Sequence, residues 1–276
     1  MSEPHLTILH VSDLHFGPPY QPQVGEVLQR FAERLQPDAI VASGDFTQRA
    51  KEEQFRAARA FLDRFPPVPL VVTPGNHDVP LHEVRDRLLA PHALYRKYIS
   101  EELNTVTTLP GAMIVSIDST APRRAIVNGR ISRKQIEFAR GAFAQADVDA
   151  LRIVVAHHHF APPPDFEGAD AMPQAKRALD AFTAMRVDLI LGGHLHRSYI
   201  GNSLDVYPGA DREHGVVIVQ SGTSTSRRGR AREREKNSFN VLRLRRAEIE
   251  VEHYMYFDDV ENFETTARYT FYRRGR

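Results

Sequence analysis

The chain has 276 residues, 42% of them hydrophobic and 26% charged, with a formal net charge of +1. That is ordinary globular composition, and the near-neutral balance excludes an electrostatic footprint spread over the whole surface. There is no Cys, which rules out disulfides, thiolate metal sites and a Cys nucleophile while leaving the redox compartment open. No stretch reaches the ~18 apolar residues of a membrane span. The start, MSEPHLTILHVSD, lacks the basic region and apolar core of a signal peptide. The expectation is a soluble, cytoplasmic protein.

Short apolar runs at 6–12, 39–43, 70–73, 113–117, 153–156 and 189–191 predict strands. Between them lie helix candidates at 24–35, 51–65, 81–103 with a break at Pro91, 132–146 and 173–185. In the second of these, Phe55, Ala58, Phe61, Leu62 and Phe65 recur at three- and four-residue steps and mark one helix face. Strands separated by helices of this length predict a layered α/β fold with mainly parallel pairing. After Gly192 the texture changes, and runs at 216–219, 239–244, 249–256 and 269–272 predict strands joined without helices. Alternation of Val251, His253, Met255 and Phe257 against Glu252, Tyr254 and Tyr256 suits a sheet with both faces occupied. A second, more antiparallel sheet packed on the first is therefore expected. All of 1–276 is read as one domain, with β-α units to about 196 and mostly antiparallel strands over 197–276. The APPPD run, 161–165, reads as a surface loop.

Polar residues gather where the strands end. The first strand runs into Asp13-Leu14-His15, the second into Gly44-Asp45, and the third into Pro74-Gly75-Asn76-His77-Asp78. Later strands run into His157-His158-His159 and into Gly192-Gly193-His194-Leu195-His196. In an open α/β sheet, ligands bind beyond the carboxyl ends of the strands, so the five clusters are expected to face one crevice. Seven of the thirteen His fall in them. Asp13 and His15, like His194 and His196, are two apart, so in extended chain each pair would point to the same side. Each motif alone is commonplace, and a turn explains it; the ordered set at successive strand ends is not explained by turns.

Those ordered blocks, D-x-H, G-D, G-N-H-D, H and G-H-x-H, resemble the calcineurin-like metallophosphoesterase superfamily over residues 13–196. DLHFG, GDFTQRA and PGNHDVP are similar to bacterial members related to cyclic-nucleotide phosphodiesterases. The resemblance implies a four-layer α-β-β-α sandwich of two packed mixed sheets, with a dinuclear metal site at the carboxyl ends of the strands. One ion would take Asp13, His15, Asp45 and His196, the other Asp45, Asn76, His157 and His194, with Asp45 bridging. Donors of Asp, His and Asn without sulfur suit Mn, Fe, Zn or Co, divalent or mixed-valence. Two divalent ions against Asp13 and Asp45 leave a cationic site that attracts phosphate, and such a pair can activate a bridging water for in-line displacement. The family places His77 against the substrate, stabilising the transition state or protonating the leaving oxygen, and Asp78 is expected to hold the His77 ring. Among the three consecutive His, His157 is taken as the ligand and His159 as the alternative. His5, His10, His82, His92, His214 and His253 are read as structural or solvated.

The resulting expectation is a metal-dependent phosphoric ester hydrolase acting on a small phosphoester, foremost a phosphodiester such as a cyclic nucleotide, through a metal-bridging hydroxide. Nuclease, phospholipid-type phosphodiesterase and phosphomonoesterase are alternatives of the same superfamily. A non-catalytic scaffold is disfavoured because no ligand position is lost. Nucleic acid is not the favoured partner, since no aromatic-basic stacking platform is evident, and oligomeric state is not legible. Two basic runs, 226–236 and 272–276, read as a solvated loop and a frayed end, with Glu233 and Glu235 partly neutralising the first. The sharper alternative is an anion-binding rim.

Overall fold

The computed structural model describes residues 6–123, 127–163, 171–207 and 215–273. His5, His214, part of the loop at 161–165 and the end of the basic tail lie outside them. Three parallel strands come first: β1 (Leu6–Val11), β2 (Ala39–Ala42) and β3 (Leu70–Val72). They alternate with α1 (Pro22–Leu35) and α2 (Glu52–Leu62), after which come two short helices, α3 (Val84–Leu89) and α4 (Ala93–Tyr98). The next stretch holds β4 (Thr105–Leu109), β5 (Ala112–Ser116), α5 (Arg133–Phe143), β6 (Leu151–Val155), α6 (Ala175–Ala184) and β7 (Leu189–Gly192). Last come β8 (Tyr199–Asn202), α7 (Ser203–Val206), β9 (Val217–Gln220), β10 (Ser238–Leu244), β11 (Glu248–Phe257) and β12 (Asn262–Tyr272).

Local chemistry sets the helix ends. Pro22 opens α1, where a missing N–H costs nothing. Ser132 and Gln135 cap α5 reciprocally, Ser132 Oγ accepting from the Gln135 N–H and Gln135 Oε1 from the Ser132 N–H. The apolar stripe of α2 is buried as predicted, with Phe55 and Ala58 fully covered.

Two mixed six-stranded sheets form, in the orders β12-β11-β10-β1-β2-β3 and β4-β5-β6-β7-β9-β8. Between them lies an apolar layer that includes Ile8, Val41, Ile114, Ile153, Leu191, Val219 and Leu242. Helices α1 and α2 cover the outer face of the first sheet through Leu28, Phe55 and Phe61. Helices α5 and α6 cover the second through Ile136, Phe143 and Phe182. The four layers α-β-β-α are those expected. The expected placement of the C-terminal strands is not. Instead of building a second sheet, β10 pairs antiparallel with β1, from Leu6 opposite Leu244 to His10 opposite Asn240, and β11 and β12 extend the same sheet. The physical reason is the edge of β1 that β2 leaves open: β10 covers it and buries Val241 on the helix side and Leu242 between the sheets. The second sheet is parallel at its centre, β5-β6-β7-β9, with antiparallel β4 and β8 at its edges.

Candidate metal centre

The carboxyl ends of β1, β2 and β3 in one sheet and of β6 and β7 in the other meet at one end of the sandwich. All seven expected ligand residues come from the segments that follow these strands. Asp13, His15, Asp45 and His196 are buried and place ligand atoms within 4.8 Å of one another. His15 Nε2 lies 2.9 Å from His196 Nε2, 3.6 Å from Asp13 Oδ1 and 3.7 Å from Asp45 Oδ2, while His196 Nε2 is 3.2 Å from Asp13 Oδ1. Bonds of about 2.0–2.2 Å to one transition-metal ion would set its ligands roughly 3.0–3.5 Å apart. The spacings, from 2.9 to 3.7 Å, bracket that figure.

Each carboxylate is divided in its duties. Asp13 Oδ2 accepts from Ser12 Oγ (2.7 Å) and the His194 N–H (2.9 Å), and Asp45 Oδ1 accepts from the His77 N–H (2.7 Å). The other oxygens, Asp13 Oδ1 and Asp45 Oδ2, are buried with no hydrogen-bond partner. Buried charged oxygens left bare are costly unless something pairs them. Asp45 Oδ2 stands between two imidazoles, 3.7 Å from His15 Nε2 and 3.4 Å from His157 Nε2, as a bridging oxygen would. The charges ask for cations here. Burial opposes ionisation of Asp45, yet His157 and His77 hold it far below the usual carboxylate range. Burial likewise opposes the His157 cation, and Asp45 overrides it, raising the ring to about 9.

Around the second set, His157 Nδ1–H donates to the Ser43 carbonyl at 2.7 Å, which leaves Nε2 as the donor atom towards Asp45. His194 Nδ1 lies 2.9 Å from Asn76 Oδ1, and the His157 and His194 rings are 5.2 Å apart. Of the three consecutive His, only His157 is brought against Asp45. His158 Nδ1 is held by Ser119 Oγ at 2.8 Å, and the His159 ring stacks on His194 at 5.6 Å. The clustered donors Asp13, His15, Asp45 and His196 fit a transition-metal ion.

Two expectations are corrected. The paired ligands do not converge by strand alternation: φ is +52° at Asp13, +49° at His15, +76° at His194 and +54° at His196, and Asp45 is at +54°. Left-handed backbone at non-glycine residues costs about 1–2 kcal/mol each and collects at functional sites. These side chains are aimed by strained turns that burial and hydrogen bonds hold in place. Nor does Asp78 hold the His77 ring. Its carboxylate accepts from the backbone N–H groups of Phe46 (3.2 Å), Thr47 (2.9 Å) and Gly75 (2.9 Å), so it fixes the turn that carries Asp45. Burial, with Asp45 adding to it, pushes Asp78 up to about 7 against those bonds. The His77 ring is oriented by a residue that sequence reading missed, Gln48, whose carbonyl accepts from Nδ1–H at 2.9 Å. Burial lowers the His77 pKa, with Asp45 opposing.

His77 and Asn76 line a pocket of about 110 Å³ together with Gln48, Arg49, Val79, Leu81 and Val127. A larger cleft of about 700 Å³ opens where β1 and β6 begin, among Leu6, Pro69, Leu109 and Leu151. Most of its wall is apolar and it holds none of the clustered donors; the chemistry sits at the other end. No helix among the described residues is long and apolar enough to cross a membrane.

The sequence profile of the calcineurin-like phosphoesterases matches residues 6–198. The chain is 26% identical over 216 residues to a cAMP/cGMP dual specificity phosphodiesterase of Mycobacterium tuberculosis, covering 71% of this chain. It is 24% identical over 193 residues to an uncharacterized metallophosphoesterase of Aquifex aeolicus, covering 69% of this chain. Each match spans 63% of the relative's own length. Among solved structures, a purple acid phosphatase from yellow lupin superposes with a TM-score of 0.70 at 13% identity, over 98% of this chain and 54% of that one. A dimetal phosphatase from Danio rerio gives 0.64 at 11% identity, over 90% of this chain and 95% of that one; at such identities the likeness is one of fold. With the profile spanning every strand end that delivers a donor, the chain belongs to the calcineurin-like phosphoesterase family.

Proposed function

We propose that the protein is a dinuclear metal-dependent phosphodiesterase acting on a small phosphodiester, with cyclic nucleotides as the leading substrate class. The observation that carries this reading is the bare Asp45 Oδ2 set between His15 and His157, one oxygen shared by two ligand sets. Asp13, His15, Asp45 and His196 would hold one ion, and Asp45, Asn76, His157 and His194 the other. Mn, Fe, Zn and Co all suit these donors. When bound, a metal pair supplies a nucleophile from water at neutral pH and polarises the phosphoryl oxygens.

The rest is done by the chain. Two carboxylates against two divalent ions leave the centre cationic, which draws in a phosphate ester. His77, fixed through Nδ1 by the Gln48 carbonyl, leaves Nε2 as the nitrogen that protonates the leaving oxygen when the ring is cationic, a form that burial disfavours and Asp45 supports. Asp78 holds the Asp45 turn in register. The cyclic-nucleotide assignment is supported by the mycobacterial relative alone, whose match spans 63% of its own length.

The test is hydrolysis of bis(p-nitrophenyl) phosphate and of its monoester by Mn-loaded protein, followed by a panel of cyclic nucleotides, single-stranded DNA and glycerophosphodiesters under the same conditions. Preference for the diester and for cyclic nucleotides is expected. Preference for the monoester would make the enzyme a phosphatase, cleavage of DNA alone would make it a nuclease, and no turnover with any metal would leave a scaffold.

A further inference from the structure

The basic run at 226–236 exposes Arg227, Arg230, Arg232 and Arg234 to solvent, as expected, but its backbone is anchored. It is sewn to the strand-end segments that carry the candidate ligands. The Arg230 N–H donates to the His196 carbonyl at 3.0 Å, and the Arg227 N–H to the Pro19 carbonyl at 2.9 Å. Just upstream, Thr223 Oγ1 and Thr225 Oγ1 donate to the carbonyls of Asp13 (2.6 Å) and Leu14 (2.9 Å). The loop closes around Glu233, which is fully buried. That carboxylate does not neutralise the neighbouring arginines: it accepts from the Ser198 N–H at 2.8 Å, from Ser198 Oγ and from Ser238 Oγ at 2.6 Å. A Cβ at Gly229 would overlap the Glu233 carbonyl, so the backbone beside Arg228 needs glycine and is tightly packed.

From this fixed backbone Arg228 is presented half-buried. Its Nη1 donates to Gln48 Oε1 at 2.9 Å, and the same Gln48 holds His77 through its carbonyl. Among the described residues no carboxylate pairs with it, whereas Arg59, Arg140, Arg245, Arg246 and Arg273 each hold one. Burial pushes its guanidinium down from the usual value, and Asp45 and Asp13 counter that. When two metal ions claim those carboxylates, a half-buried cation is left beside a cationic centre. That arrangement is costly until an anion arrives. Arg227 and Arg230, by contrast, are exposed, where water and salt screen them.

We propose that Arg228 is a substrate-binding residue of the centre, its guanidinium fork taking the non-bridging oxygens of the phosphoester, with Gln48 as the positioning residue that sets Arg228 and His77 on one rim. The inference rests on the phosphoester-hydrolase reading above. A guanidinium fits two phosphoryl oxygens at once, and its hydrogen bonds strengthen as charge builds on them in the transition state.

The experiment uses metal-loaded protein with inorganic phosphate as the probe, read by calorimetry, alongside kcat and KM for bis(p-nitrophenyl) phosphate. Arg228→Ala is expected to weaken phosphate binding and lower kcat/KM by about tenfold to a hundredfold, with metal content and melting temperature unchanged. Arg228→Lys should recover part of the binding, since it restores charge without the fork, and it stands in should the alanine variant fold poorly. Arg227→Ala should match the parent within about twofold, as exposed cations do. A parent that hydrolyses and binds phosphate, beside Arg228 variants that do so equally well, would overturn the inference alone. A metal-loaded parent that neither binds phosphate nor turns over would overturn the hydrolase reading with it.

Discussion

Of two adjacent residues, His77 lines the pocket and is proposed for the chemistry, while Asp78 braces the backbone. The His77 ring reaches the pocket and takes its orientation from the Gln48 carbonyl, whereas Asp78 spends its carboxylate on three backbone N–H groups of the Asp45 turn and the Gly75 bend. Their alanine variants should therefore fail differently. His77→Ala should lower kcat by about 10²–10⁴-fold with two metal ions retained and stability unchanged. Asp78→Ala strands buried donors and should cost about 1–3 kcal/mol of stability, read by denaturant titration, with metal lost in proportion. A loss of metal from the His77 variant, or an Asp78 variant as stable as the parent, would reverse these roles. The polar residues that the strand ends bring together were legible in the sequence because they stand in short ordered motifs. Their geometry was not. Five of the seven expected ligands lie at positive φ, a conformation for which these residue types carry no local signal, since strained turns are imposed by the surrounding fold. The Gln48 carbonyl gives no side-chain signal, and Arg228 was legible only as part of a basic run read as a solvated loop or an anion-binding rim.

At the scale of elements, the central strands of both sheets announced themselves as short apolar runs ending in Gly, Asp or His, and their bounds differ from the expected ones by a residue or two. The edges did not. The strands β4 and β8 are short, half-exposed and flanked by turns, so no apolar run marks them. Nor could alternation in 249–257 say which sheet β11 joins, because both faces of it are occupied. The junction of β1, β10 and β11 has a polar core that responds to acid. His10 Nε2 meets Ser43 Oγ at 3.0 Å, and Asn240, opposite it on β10, contacts His253 Nδ1 at 3.0 Å. Burial takes His10 down to about 3, with Asp13 opposing. The unfolded chain binds a proton at this residue near the ordinary 6.5 and the folded chain does not. Stability is therefore complete above that value and falls as pH drops below it, by about 1.4 kcal/mol at pH 5.5 from this residue. Urea titrations at pH 7.5 and 5.5 should show His10→Asn losing less stability over that interval than the parent, by about that amount. Equal losses would mean that His10 titrates normally in the fold.

For the whole molecule, two sheets packed through an apolar layer bring five parallel strand ends to one rim, three from the first sheet and two from the second. Neither sheet alone carries all seven proposed ligands: Asp13, His15, Asp45 and Asn76 follow strands of one, while His157, His194 and His196 follow strands of the other. The fold and the centre are thus one construction. Metal ions that join ligands from both sheets would clamp the sandwich at this end and stabilise the folded state in proportion to their affinity. Asp45 is the proposed shared ligand, and its substitution tests the centre most directly. Elemental analysis of reloaded, desalted protein should find two transition-metal ions per chain in the parent and at most one in Asp45→Asn, with circular dichroism unchanged. One ion or none in the parent, or two ions kept by the variant, would contradict a dinuclear centre bridged by this carboxylate.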